Sequence, residues 1–227
     1  MPAYPLVFVD VDTQRDFLDP GGALPIAGAS AILPNLARLT EFARKVGIPV
    51  LATACAHAPD DPDPEPFPLH CLIGTAGRER VAATSWPGSL VVGPDDRLPP
   101  GDLPPHVTLE KRHYDVFSHP EADRLVSRYD AADPRRPTFV VYGVATDYCV
   151  GAAVRGLLVR GHRVVLVADA IRPVDRGAEA GVLTELVGRG ASLILTAGIL
   201  AAARHSFANP NGFLTGRASR GSLDRRC

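Results

Sequence analysis

Short apolar runs alternate with amphipathic stretches along most of the chain. Pro5–Asp10 (PLVFVD) is apolar and rich in β-formers, the pattern of a strand buried on both faces. In Ile32–Val46, residues Ile32, Leu36, Leu39, Phe42, Ala43 and Val46 fall on one helical face, and Gly47 ends the helix. Ile48–Thr53 (IPVLAT) and His106–Glu110 predict two further strands, and Glu121–Tyr129 a short helix. Thr138–Gly143 (TFVVYG) predicts a strand, Tyr148–Arg160 a helix stopped by Gly161, and His162–Ala168 another strand. Ala178–Arg189 predicts the next helix and Ala191–Leu195 the last strand. Ala58–Pro68 is too crowded with proline and acid to be regular. Strand alternating with helix, with no internal repeat, predicts a single-domain α/β fold: a three-layer, doubly wound, mostly parallel sheet.

Composition narrows the setting. With 46% of 227 residues hydrophobic, the chain can bury one substantial core. A formal net charge of −1 lacks the basic footprint of a nucleic-acid binder. No segment approaches the ~20 apolar residues that span a bilayer. Met1–Pro5 lacks a basic leader region, and the apolar run after it is interrupted by Asp10 and Asp12. These features predict a cytoplasmic protein whose partners are small molecules or copies of itself. In such a reducing setting Cys55, Cys71, Cys149 and Cys227 read as core, ligand or nucleophile before disulfide. The expected domain covers residues 1–203; Arg204–Cys227 is polar, glycine-containing and net basic, a tail either loose or laid on a neighbouring subunit.

In doubly wound sheets reactive groups collect at the carboxyl ends of the strands. Three loops there carry chemistry: Val11–Phe17 (VDTQRDF), Lys111–Tyr114 (KRHY) and Val144–Cys149 (VATDYC). With Thr146 or Asp147 as helix cap, Cys149 falls in the first turn, where unpaired N–H groups favour a thiolate and can hold an oxyanion. The plain alternative is a buried core cysteine. Asp12 is placed to take the thiol proton and return it to a leaving amine, and Lys111 to keep Asp12 ionised and favour the thiolate. Singly, Asp12 reads as a loop cap and Lys111 as a surface charge. Three such groups at three strand ends of one sheet point to catalysis.

These segments resemble the cysteine hydrolases of the isochorismatase-like superfamily, nicotinamidases most of all. Val11–Phe17 is similar to that family's V-D-x-Q-x-D-F, Glu110-Lys111 to its lysine segment, and Gly143–Val150 to its G-x-x-T-D-x-C-V. The resemblance covers roughly residues 5–197 and implies a Rossmann-like hydrolase fold in a homo-oligomer. It makes Asp12 the general acid/base, Lys111 its electrostatic support and Cys149 the nucleophile. It also implies a cis peptide at Val144–Ala145, aiming the Ala145 and Cys149 amides at the oxyanion. The substrate implied is nicotinamide or a similar small planar primary amide, with Phe17, Phe67, Tyr148 and Gln14 around it. Two alternatives stay open: a metal-free amidase acting on a carbamoyl or aliphatic amide, and a non-catalytic binding or scaffold module.

Nicotinamidases also carry a metal segment, D-x-H followed by P-x-H-C-x-x-G-T-x-G. Pro68–Gly77 (PLHCLIGTAG) matches the second half, but Cys55 stands where the first half has aspartate. The implied cofactor is a divalent metal (zinc, iron or manganese) on His57 and His70. Cys55 is then a third ligand, or Asp61 or Asp63 replaces it, or the site holds no metal.

Overall fold

Seven runs of β-branched and apolar residues pair into one sheet in the order β3-β4-β2-β1-β5-β6-β7. A computed structural model describes residues 6–61, 67–132 and 136–208. The strands are β1 (Leu6–Val11), β2 (Val50–Cys55), β3 (Leu90–Val92), β4 (His106–Lys111), β5 (Thr138–Val144), β6 (Arg163–Arg172) and β7 (Ser192–Ile194). Every pairing is parallel, so the expected mostly parallel sheet is wholly so. The helices are α1 (Arg15–Leu18), α2 (Leu33–Val46), α3 (Ala122–Ala132), α4 (Gly151–Val159), α5 (Glu179–Gly188) and α6 (Thr196–Ala208).

Strand β1 lies at the centre and is buried along its whole length, apolar except at Asp10, which pairs with Arg80. Its alternate residues serve two cores. Leu6 and Phe8 join Leu36, Leu39 and Phe42 of α2, while Val7, Val9 and Val11 join Leu125 of α3 and Val154 of α4. Truncating Leu39, which is fully buried, would cost about 2–5 kcal/mol by the usual cavity rule. Helix α2 stops at Gly47 (φ +74°), whose N–H bonds the Ala43 carbonyl.

Three elements escape the hydrophobic pattern. Strand β3 has three residues at the sheet edge, and α1 is a single turn. Helix α6 runs through Ala208, past the expected boundary at 203; residues 209–227 lie outside the described residues. The helix expected over Tyr148–Arg160 is also split. Val150 N–H bonds the Ala145 carbonyl five residues back at 3.0 Å, making a π-type turn over Thr146–Val150 before α4 begins at Gly151.

The chain builds β2, β3 and β4 on one side of β1, then crosses to β5 on the other. Such a reversal opens a crevice at the strands' carboxyl ends. Gly143 lets β5 approach there: its φ is +117°, and a Cβ would sit 2.0 Å from the Val11 carbonyl oxygen.

Candidate active site

Four strand ends meet at that crevice. Asp12 follows β1 with φ +47°, Cys55 ends β2, Lys111 ends β4, and Cys149 lies in the π-type turn after β5. The Val144–Ala145 peptide leading into the turn is cis. Lys111 Nζ donates to Asp12 Oδ2 at 2.8 Å and lies 3.5 Å from the Sγ atoms of both Cys149 and Cys55. Asp12 Oδ1 accepts from the Thr53 hydroxyl at 2.6 Å, and Cys55 Sγ is 3.6 Å from Asp12 Oδ2. All four side chains are buried.

Their electrostatics follow from this crowding. Burial raises the Asp12 carboxyl above its ordinary value; a charged Cys55 adds to the shift and Lys111 opposes it. A hydrogen bond from Cys149, with Lys111 also contributing, holds the Cys55 thiol well below the usual thiol range. The Cys149 thiol moves up, through that same bond and then through burial. A thiol shifted in this direction becomes a thiolate only with a base beside it. Asp12, more basic than an exposed carboxylate, stands beside it.

Two members of the cluster, Cys55 and Cys149, line a cavity of about 460 Å³, with Asp12 and Lys111 behind them. Phe17, Phe67, Tyr148 and Tyr114 line it, with Phe67 and Tyr148 edge to face at 5.0 Å and Tyr114 against Tyr148 at 5.2 Å. His57 and His70 line it too, ring centroids 5.0 Å apart, and with Cys55 they offer three ligand atoms all within 4.8 Å of one another. The Pro68 carbonyl lies 2.8 Å from His70 Nδ1, which as donor leaves Nε2 as the acceptor. Asp16 anchors the loop behind, taking the Cys71 and Ala23 N–H groups at 2.6 and 2.9 Å.

The sequence model of the isochorismatase domain matches residues 6–198. The chain belongs to the isochorismatase-like hydrolase superfamily. Among relatives, N-carbamoylsarcosine amidase of Arthrobacter sp is 23% identical over 163 residues, 72% of this chain and 58% of that protein. A probable inactive nicotinamidase of Arabidopsis thaliana is 32% identical over 80 residues, 31% of this chain and 41% of that protein. The chain thus spans about half the length of these two relatives. Among solved structures, the pyrazinamidase of Pyrococcus horikoshii in complex with zinc superposes with a TM-score of 0.68 at 26% identity, covering 84% of this chain and 99% of that one.

Within this isochorismatase-like site several expected residues take other places. Gln14 does not line the cavity. Its buried amide donates to the Cys55 and Arg78 carbonyls and accepts the Cys55 N–H, each at 2.8 Å, so it positions Cys55 and has no face left for substrate. Asp61 is not one of the three residues whose ligand atoms lie within 4.8 Å of one another, but it lines the same cavity: its carboxylate takes the Ala58 N–H at 2.7 Å and lies 3.8 Å from both His57 Nδ1 and Arg112. Asp63 lies outside the described residues. Neither Thr146 nor Asp147 caps a helix. The Asp147 carboxylate instead receives the Val174 and Asp175 N–H groups at 2.9 Å each, tying the turn to the loop after β6. Two residues beyond the sequence reading shape the site, Thr53 on Asp12 and Tyr114 on Tyr148. Only Tyr114, three positions past Lys111 at a strand end, left a signal.

Among the described residues, no helix is long and apolar enough to cross a membrane.

Proposed function

We propose that the protein is a cysteine amidohydrolase that converts a small planar primary amide, nicotinamide first among candidates, to its acid and ammonia. One observation supports this most: Lys111 Nζ bridges Asp12 Oδ2 at 2.8 Å and Cys149 Sγ at 3.5 Å, and Cys149 lines an aromatic cavity. In this reading Asp12 takes the Cys149 proton as sulfur attacks the carbonyl carbon. The Ala145 and Cys149 amides hold the oxyanion. The C–N bond breaks, and Asp12 returns the proton to departing ammonia. Asp12 then deprotonates the water that attacks the thioester, and the C–S bond breaks to free the acid. Phe17, Phe67 and Tyr148 supply apolar walls for a flat ring.

The set Cys55, His57 and His70 fits a metal. One sulfur and two imidazoles suit zinc better than manganese, which favours oxygen ligands. Zinc held there would supply a Lewis acid for a ring nitrogen or a water. Adding zinc to chelator-treated protein at about 100 times its dissociation constant should stabilise the fold by about 2.7 kcal/mol. His70→Ala should abolish that gain, and an unchanged melting temperature in both proteins would refute the ligand set.

The contacts of Cys55 Sγ with Lys111 and Asp12 favour a second reading, a metal-free amidase acting on a carbamoyl or aliphatic amide. Steady-state ammonia release separates the two. Turnover of nicotinamide supports the first reading. Turnover confined to a carbamoyl compound by metal-free protein supports the second, and background rates with every amide would reject both.

A further inference from the structure

Cys55 and Cys149 reach the same point from opposite sides of β1, one at the end of β2 and the other in the turn after β5. Their sulfurs and an Asp12 carboxylate oxygen all lie within 4.8 Å of one another. Lys111 Nζ stands 3.5 Å from each sulfur, so the two thiols share one polar neighbour. Both cysteines line the cavity, although they are only 4% and 6% exposed, so a small oxidant reaches them where a protein thiol does not. Cys71 is also buried, but it does not line the cavity.

We propose that Cys55 and Cys149 are a redox pair that closes to a reversible disulfide when a hydroperoxide enters the cavity. The thiolate of one cysteine attacks the peroxide oxygen: an S–O bond forms, the O–O bond breaks, and hydroxide leaves to be protonated to water. The second sulfur then attacks the resulting sulfenic acid. An S–S bond forms, the S–O bond breaks, and the departing hydroxide takes the second thiol's proton as water. Two thiols lose two electrons, and hydrogen peroxide becomes two waters. Closing to the S–S length of about 2.05 Å requires side-chain rotation, or movement of the short turn that carries Cys149.

The disulfide would store Cys149 in a form that thiols restore, instead of letting it pass to sulfinic acid. Cys55, the residue that departs from the metal-segment pattern, would thereby become the resolving thiol of the metal-free protein, the form to be treated with peroxide. The loss of hydrolysis on oxidation rests on the proposed role of Cys149 as nucleophile; the disulfide itself does not.

The test treats the full-length protein with hydrogen peroxide, blocks free thiols, and maps tryptic peptides without reduction. Val46–Arg78 should be linked to Arg136–Arg155, with fragment ions assigning the link to Cys55 and not to Cys71. Dithiothreitol should restore hydrolysis. In Cys55→Ala and Cys55→Ser, peroxide should drive Cys149 to sulfinic and sulfonic acids, and recovery with dithiothreitol should fall at least about tenfold. Overoxidation of Cys149 at equal rates in wild type and both variants, with no linked peptide, would overturn the proposal. A linked peptide in a protein that hydrolyses no amide would uphold the pair and reject the amidase reading alone.

Discussion

Asp10 and Asp12 stand two residues apart on one chain segment, both buried, each held by one cation. Burial raises both carboxyls above their ordinary value, and the cation opposes the shift in each case. Their surroundings differ in kind. Asp10 is tied by Arg80 and by the Thr13 hydroxyl at 2.9 Å, and Thr13 bonds onward to Thr84 at 2.7 Å. Guanidinium and hydroxyl groups keep their protons at neutral pH, so this cluster is fixed. Asp12 faces an ammonium and two thiols, beside a cavity wide enough for a small ring. Burial and ion pairing therefore do not mark a catalytic carboxylate. Partners whose protons move, next to space for a substrate, do.

The largest effect should come from Asp12→Asn, which keeps the shape but removes the base. Amide hydrolysis should fall about 10²–10⁴-fold while the circular dichroism of the fold is kept. Wild-type activity should decline toward acid as Asp12 takes its proton, at a pH above that of an ordinary carboxylate. That acid limb should be missing from the residual activity of the variant. An unaltered rate would remove Asp12 from the mechanism.

Asp10→Asn should invert the pattern. It leaves Arg80, whose side chain is 14% exposed, without its countercharge; a fully buried pair costs about 3–5 kcal/mol to break, and this partly exposed one should cost up to about 3 kcal/mol. Urea unfolding should register that loss, while activity per folded molecule stays near wild type. Equal effects of the two substitutions on activity would break the contrast.

A smaller effect sharpens the Asp10 side. His106 packs under Trp86 at 5.0 Å between ring centroids, and burial lowers its pKa from 6.5 to about 3, with Arg80 and Arg44 adding to the shift. The unfolded chain takes this proton from about pH 6.5 downward, the folded chain only near 3. Stability from neutral His106 is thus full above pH 6.5 and is lost as the pH falls toward 3. Between pH 7.5 and 4.5 the loss should be about 2–3 kcal/mol, and His106→Gln should flatten that part of the curve. Parallel curves for the two proteins would contradict it.

The contrast was only partly legible in the sequence. Central strands such as β1 and β5 are predominantly apolar, because both faces are buried, and they stand out. Strand β3 did not, since three edge residues between prolines and glycines make no pattern. Asp12, Lys111 and Cys149 were legible as candidates because each lies at or just past a strand end within a spaced motif. Gln14 was misplaced because a motif position does not say where a side chain points; here it turns inward to the backbone of β2. The meeting of Cys55 with Cys149 left no signal, because the sheet order that brings them together is set by packing over the whole domain.

Mass analysis of the protein, quenched in acid during incubation with nicotinamide, tests the proposed Cys149 thioester most directly. An acyl adduct, labile to hydroxylamine, should appear on Cys149 within peptide Arg136–Arg155. An adduct on Cys55 instead, or turnover with no adduct on any cysteine, would contradict it.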